Sequence, residues 1–121
     1  MKWNWLRQAI NRFELLKKWR EFSIIVAKAA REILGENLVT VYVVGSVVEN
    51  RATVYSDIDI AIIVKDPKFK NLNTIIDIKL KAEELGLPIE APIDIKILTK
   101  EEFESYLGTL YKKAVEVSIT S

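Results

Sequence analysis

Along the first third of the chain, apolar residues recur at helical spacing. Leu6, Ile10, Phe13, Leu16 and Trp19 stand three or four positions apart, with Arg, Lys and Glu between them. Ile24, Ile25, Ala29, Ile33 and Leu34 continue an apolar face up to Gly35, a residue suited to closing a helix. The pattern predicts helix over residues 3–34, with a break near Arg20–Ser23 because the span is long for one helix of a globular domain. Residues 38–44, Leu-Val-Thr-Val-Tyr-Val-Val, are β-branched and nearly all apolar, as in a buried strand, and Gly45-Ser46 ends them. Residues 57–64, Asp-Ile-Asp-Ile-Ala-Ile-Ile-Val, predict a second strand, after which Asp66-Pro67 turns the chain. Residues 72–86 read as a helix closing on Gly86, with Ile75, Ile76, Leu80 and Leu85 inward. Pro88 and Pro92 bracket a connection, and residues 93–98 alternate strictly as a third strand. Thr99 and Glu102 have the spacing of a capping box, so a helix should begin at Lys100. Residues 114–120 alternate again, with Val115, Val117 and Ile119 on one face, and predict an edge strand. This order describes a two-layer α+β domain, a small mixed sheet with helices packed on one face.

Composition narrows the chemistry. The chain has 121 residues, half of them apolar, enough for one domain with a real core and without repeats or linkers; residues 1–121 are taken as a single unit. It has neither cysteine nor histidine, which excludes disulfides, thiolate metal sites and every scheme that needs imidazole. Acid–base or metal chemistry must then rest on carboxylates, lysines, hydroxyls and backbone. Oxygen ligands alone favour hard cations such as magnesium, manganese or calcium. With 18 basic and 17 acidic residues the net charge is +1, unlike the strongly basic balance of a nucleic-acid-coating domain. No apolar run approaches the ~18 residues of a membrane span. Arg7, Asn11, Arg12, Glu14 and Lys17 interrupt what would otherwise be a signal peptide's apolar core, so a cytoplasmic protein is expected.

Three aspartates stand where strands disfavour them. Asp57 and Asp59 are two apart, on one face of the expected second strand, with Ile58, Ile60 and Ile62 on the other. Asp94 and Lys96 share a face of the third strand. If the two strands are neighbours, three like charges converge, which is unfavourable in a sheet. A divalent cation would resolve that conflict; solvated residues on an open sheet face are the plainer alternative. Lys96 reads first as an exposed strand residue. Gly45-Ser46 directly follows a buried strand, where glycine permits close approach of a ligand and a helical turn would aim backbone N–H groups at an anion. Alone the dipeptide is an ordinary turn. Followed by Asp-x-Asp on one strand and a later Asp on another, it supplies a phosphate cradle beside a metal site.

Residues 45–63, GSVVENRATVYSDIDIAII, resemble the signature of the DNA polymerase β-like nucleotidyltransferases: Gly-Ser, a spacer, then Ser-Asp-Ile-Asp-hydrophobic. Pro92-Ile93-Asp94-Ile95 is similar to that family's third-carboxylate strand. The size points to the minimal nucleotidyltransferases, and the resemblance runs from about Ile24 onward. It implies a DNA polymerase β palm-like fold. It implies that Gly45 and Ser46 hold the β- and γ-phosphates, with Arg51 and Ser56 near the nucleotide, and that Asp57, Asp59 and Asp94 ligate Mg2+ or Mn2+. It implies transfer of a nucleoside monophosphate, AMP from ATP foremost, to a hydroxyl acceptor. Relatives of this size resemble the antitoxin half of a toxin–antitoxin pair whose partner is a HEPN-type helical ribonuclease. The signature departs at Glu49, where an arginine is expected, and at Asn50, where a glycine is expected. Asn accepts a left-handed backbone, and Arg51 stands one position away. A docking module with a decayed site is the alternative. An antibiotic-modifying transferase is a weaker one, because such enzymes carry a further domain for the acceptor.

All three tryptophans, Trp3, Trp5 and Trp19, lie in the first helical stretch, which the family core needs only in part. Phe13 and Trp19 are expected to complete the core. Trp3 and Trp5, within residues 1–22, are expected to meet a partner or a second copy.

Overall fold

The computed structural model describes residues 2–119. Helix α1 runs over Lys2–Leu16 and helix α2 over Trp19–Leu34. The break therefore falls at Lys17–Lys18, before the expected place. There the Lys18 amide donates to the Leu15 carbonyl at 3.0 Å, a tight turn, and Phe22 N–H restarts the ladder on the Lys18 carbonyl. Neither Gly nor Pro marks the position.

Strand β1 (Leu38–Val44) pairs antiparallel with β2 (Ile58–Val64), and β2 pairs parallel with β3 (Ile93–Thr99). Strand β4 (Ala114–Glu116) adds to the free side of β1, giving the order β3-β2-β1-β4. It is shorter than expected, and position 120 of the expected strand lies outside the described residues. Period-two alternation divides the sheet. Val41, Val43, Ile58, Ile60, Ile62, Ile95 and Ile97 point into the main core with α2 and with α3 (Leu72–Glu84). The other face carries Val44, Ala61, Ile63 and Leu98, covered by Phe103 of α4 (Lys100–Tyr106) and by Tyr111. Helices α2 and α3 thus share one face, and the short α4 reaches over to the other.

Helix α4 starts at Lys100 as expected. The Thr99 hydroxyl accepts from the Glu102 amide at 3.3 Å, and the Glu102 carboxylate accepts from the Thr99 amide at 3.0 Å, a reciprocal cap. Helix α3 is rotated from expectation. Thr74, Ile78 and Ala82 face the core and Ile75 is half-buried, while Ile76, Leu80 and Leu85 are exposed. The small Thr74 and Ala82 let α3 approach α2, whose own buried face includes Ala27, Ala29 and Ala30. Close helix packing outweighs the burial of the larger residues. No helix among the described residues is long and apolar enough to cross a membrane.

Candidate active site

Strand pairing lays four positions level across the sheet: Ala114, Val44, Asp59 and Asp94. The two aspartates are parallel partners on the central and edge strands. Immediately after Val44, Gly45 takes φ +82, and a Cβ there would collide with Oδ2 of Asp59. The chain then makes a helical turn: Glu49 N–H donates to the Gly45 carbonyl and Arg51 N–H to the Ser46 carbonyl, each at 3.1 Å. Asn50 closes this turn at φ 59, the left-handed backbone that Asn accepts more readily than most residues. Ser46 is half-buried at the head of the turn.

The electrostatics follow from this crowding. Partial burial pushes the Asp59 carboxyl up to about 6, and Lys96 opposes the shift. Asp94, by its charge and by a hydrogen bond to Asp59, and then Asp57 raise it further. Lys96 Nζ stands 3.9 Å from Asp94 Oδ2, so its charge compensates the pair rather than only solvating the strand. Tyr111, buried beneath, has its phenol pushed up mainly by burial, with Lys96 opposing and Asp59 adding.

Asp57 departs from expectation. It precedes β2 instead of lying in it, so strand alternation does not aim it beside Asp59. Its Oδ1 accepts from a terminal nitrogen of Arg12 at 2.5 Å, and a terminal nitrogen of Arg12 also donates to the Ser56 carbonyl at 3.0 Å. Arg12 lies on α1, and its Nε is buried without a hydrogen-bond partner among the described residues. Nothing in the signature points to this arginine, which stands 45 positions away. The Ser56 hydroxyl accepts from the Thr53 amide at 2.9 Å and so caps the loop. Arg51 Nε donates to Glu49 at 3.1 Å. Glu49 also accepts from the Lys112 amide at 3.3 Å, and its side chain is only 8% exposed. The unexpected acid at position 49 is therefore neutralised within its own loop, and Arg51 is engaged there too.

At the N-terminal end, Trp19 packs against the core. Phe13 does not and is 36% exposed, whereas Trp3 and Trp5 are 73% and 60% exposed. Helix α1 meets the body of the domain through Leu15 and Leu16 in its last turn and through Arg12.

Residues 24–119 match the family model of the nucleotidyltransferase domain, and the chain belongs to that family. A crystal structure of a candidate nucleotidyltransferase from Sulfolobus solfataricus is similar, with 26% identity and a TM-score of 0.50 over 90% of this chain and 85% of that one. A second candidate nucleotidyltransferase, 24% identical over 74% of this chain and 90% of that one, also at a TM-score of 0.50, bears on the fold alone. No curated protein matches the chain. Helix α1 lies outside the matched segment.

Nucleotidyltransferases generally use a nucleoside triphosphate and a divalent metal. Among the described residues no three acidic side chains close on one point as a ready-made metal cage. The donor set nevertheless fits a hard cation. Asp59 and Asp94 are level neighbours on adjacent strands, each raising the cost of charge on the other, and that repulsion is what a cation relieves. Gly45, lacking a side chain, lets the Asp59 carboxylate lie directly against the start of the turn. Asp57 is the outlying member, occupied by Arg12.

Proposed function

We propose that the chain transfers a nucleoside monophosphate from a nucleoside triphosphate, ATP foremost, to a hydroxyl acceptor. The observation that carries this reading is the placement of Asp59 and Asp94 side by side, directly against a side-chain-free Gly45 at the head of a helical turn. The amides that open the turn, with Ser46, hold the β- and γ-phosphates. The acceptor oxygen attacks the α-phosphorus and forms the new O–P bond. The bond from that phosphorus to the bridging oxygen breaks, and pyrophosphate leaves with the electron pair. The acceptor's proton passes to Asp94. Magnesium or manganese, held by Asp59, Asp94 and an Asp57 released from Arg12, would neutralise the phosphates and activate the acceptor hydroxyl. Lys96 keeps the acidic pair from repelling the donor when the charges are first brought together.

Calorimetric titration of a non-hydrolysable ATP analogue, with and without magnesium, tests this. Magnesium-dependent binding that disappears in Asp59→Asn supports the reading. Absence of binding in both conditions overturns it and favours the rival, a docking module with a decayed site.

A further inference from the structure

A groove of about 700 Å³, lined in part by Arg12, the ion-pair partner of Asp57, has a volume within the range of small-molecule sites. One wall is α1, through Trp5, Ala9, Arg12 and Leu15. The other is Val54 and Tyr55 in the loop entering β2, with Glu90 in the connection entering β3. It therefore lies at the β2–β3 end of the site, and the Gly45-Ser46 turn lies at the β1 end. In an in-line displacement the acceptor enters opposite the departing pyrophosphate. With pyrophosphate at the β1 end, the acceptor comes from the opposite side of the site, that of edge strand β3, which carries Asp94.

The lining states what fits. Two large aromatic side chains, Trp5 at 60% and Tyr55 at 82% exposure, border the groove and leave apolar surface in water that a ring would cover. Gln8 and Asn11 add neutral amide donors and acceptors. Among the described residues Arg12 is the one cation lining the groove and is already paired with Asp57, and Glu90 is the one acid lining it. A polycationic acceptor would need several carboxylates, and a nucleic-acid end would need several free cations. We propose that this groove is the acceptor subsite and takes an uncharged hydroxyl compound that carries an aromatic ring. The inference rests on the nucleotidyl-transfer reading above. The hydroxyl oxygen forms the bond to the α-phosphorus, its proton goes to Asp94, and the product is a phosphodiester plus pyrophosphate. Helix α1, outside the matched family segment, is then the element that selects the acceptor.

The test uses the full chain saturated with magnesium and a non-hydrolysable ATP analogue, titrated calorimetrically with 2-naphthol. Wild-type protein should bind the naphthol. Ala9→Trp, which fills the groove from α1, should weaken it by about tenfold or more with analogue binding unchanged. Trp5→Ala, an exposed change that leaves the core intact, should weaken it by about threefold to tenfold. If the analogue binds and 2-naphthol does not, or binds equally to both variants, the acceptor assignment is overturned and the transfer reading stands. Binding of an aminoglycoside or a short oligonucleotide that Ala9→Trp abolishes also overturns it. If the analogue itself fails to bind wild-type protein, the transfer reading falls and takes the acceptor assignment with it.

Discussion

Gly45 and Asp59 are packed so closely that nothing larger than a hydrogen fits between the backbone of one and the carboxylate of the other. The contact joins the turn assigned to the phosphates to the carboxylate assigned to the cation, so neither can shift alone. Gly45→Ala should disturb both, since the new methyl meets Asp59 and the residue must also hold φ +82. We expect a loss of about 1–3 kcal/mol in urea unfolding, and triphosphate-analogue affinity reduced by about tenfold or more. Wild-type affinity in this variant would show that the turn does not approach the phosphates.

Asp59 predicts a pH dependence of stability. Its carboxyl is raised from 3.8 to about 6, so the folded chain holds this proton more tightly than the unfolded one. The contribution is complete below about pH 4 and is lost as the pH rises through about 6. Asp59→Asn removes the cost of the charge. Without divalent cations it should raise Tm by roughly 3–6 °C near pH 8 and by little near pH 4. Thermal unfolding at the two pH values checks this; an equal shift at both would mean that ionisation is not the cause.

Arg12 and a divalent cation compete for Asp57. The ion pair is half-exposed, with side chains 37% and 49% accessible, so removing it should change stability by less than about 1 kcal/mol. Arg12→Ala should instead tighten Mn2+ binding by about threefold to tenfold, read from the free-ion EPR signal during titration. Unchanged or weaker affinity would mean that Asp57 takes no part in holding the cation.

Much of this site is legible before any coordinates. Asp59 and Asp94 are found by strand periodicity, because both lie inside regular strands whose apolar residues have one place to go. The reciprocal cap of Thr99 and Glu102 is legible because capping is local chemistry. Asn50 shows its left-handed turn for the same reason. Asp57 stands one residue before the strand expected to include it, and its pairing with Arg12 is something alternation says nothing about. Ile76 and Leu80 turn outward because helix phase is set by the close approach of small residues on α2 and α3, a tertiary demand absent from either segment alone. Arg12 is the plainest case. Its partner is far along the chain, and only the break at Lys17–Lys18 directs α1 toward the loop before β2.

That break is also a seam. The sheet and its acids are held from α2 onward by a continuous core, whereas α1 touches the body through one final turn and one arginine. Grafting a different helix over residues 2–16 would redraw one wall of the groove while leaving the register of Asp59 against Asp94 intact. Catalysis and choice of acceptor can then diversify separately, the first bound to an unforgiving sheet and the second carried on a replaceable handle.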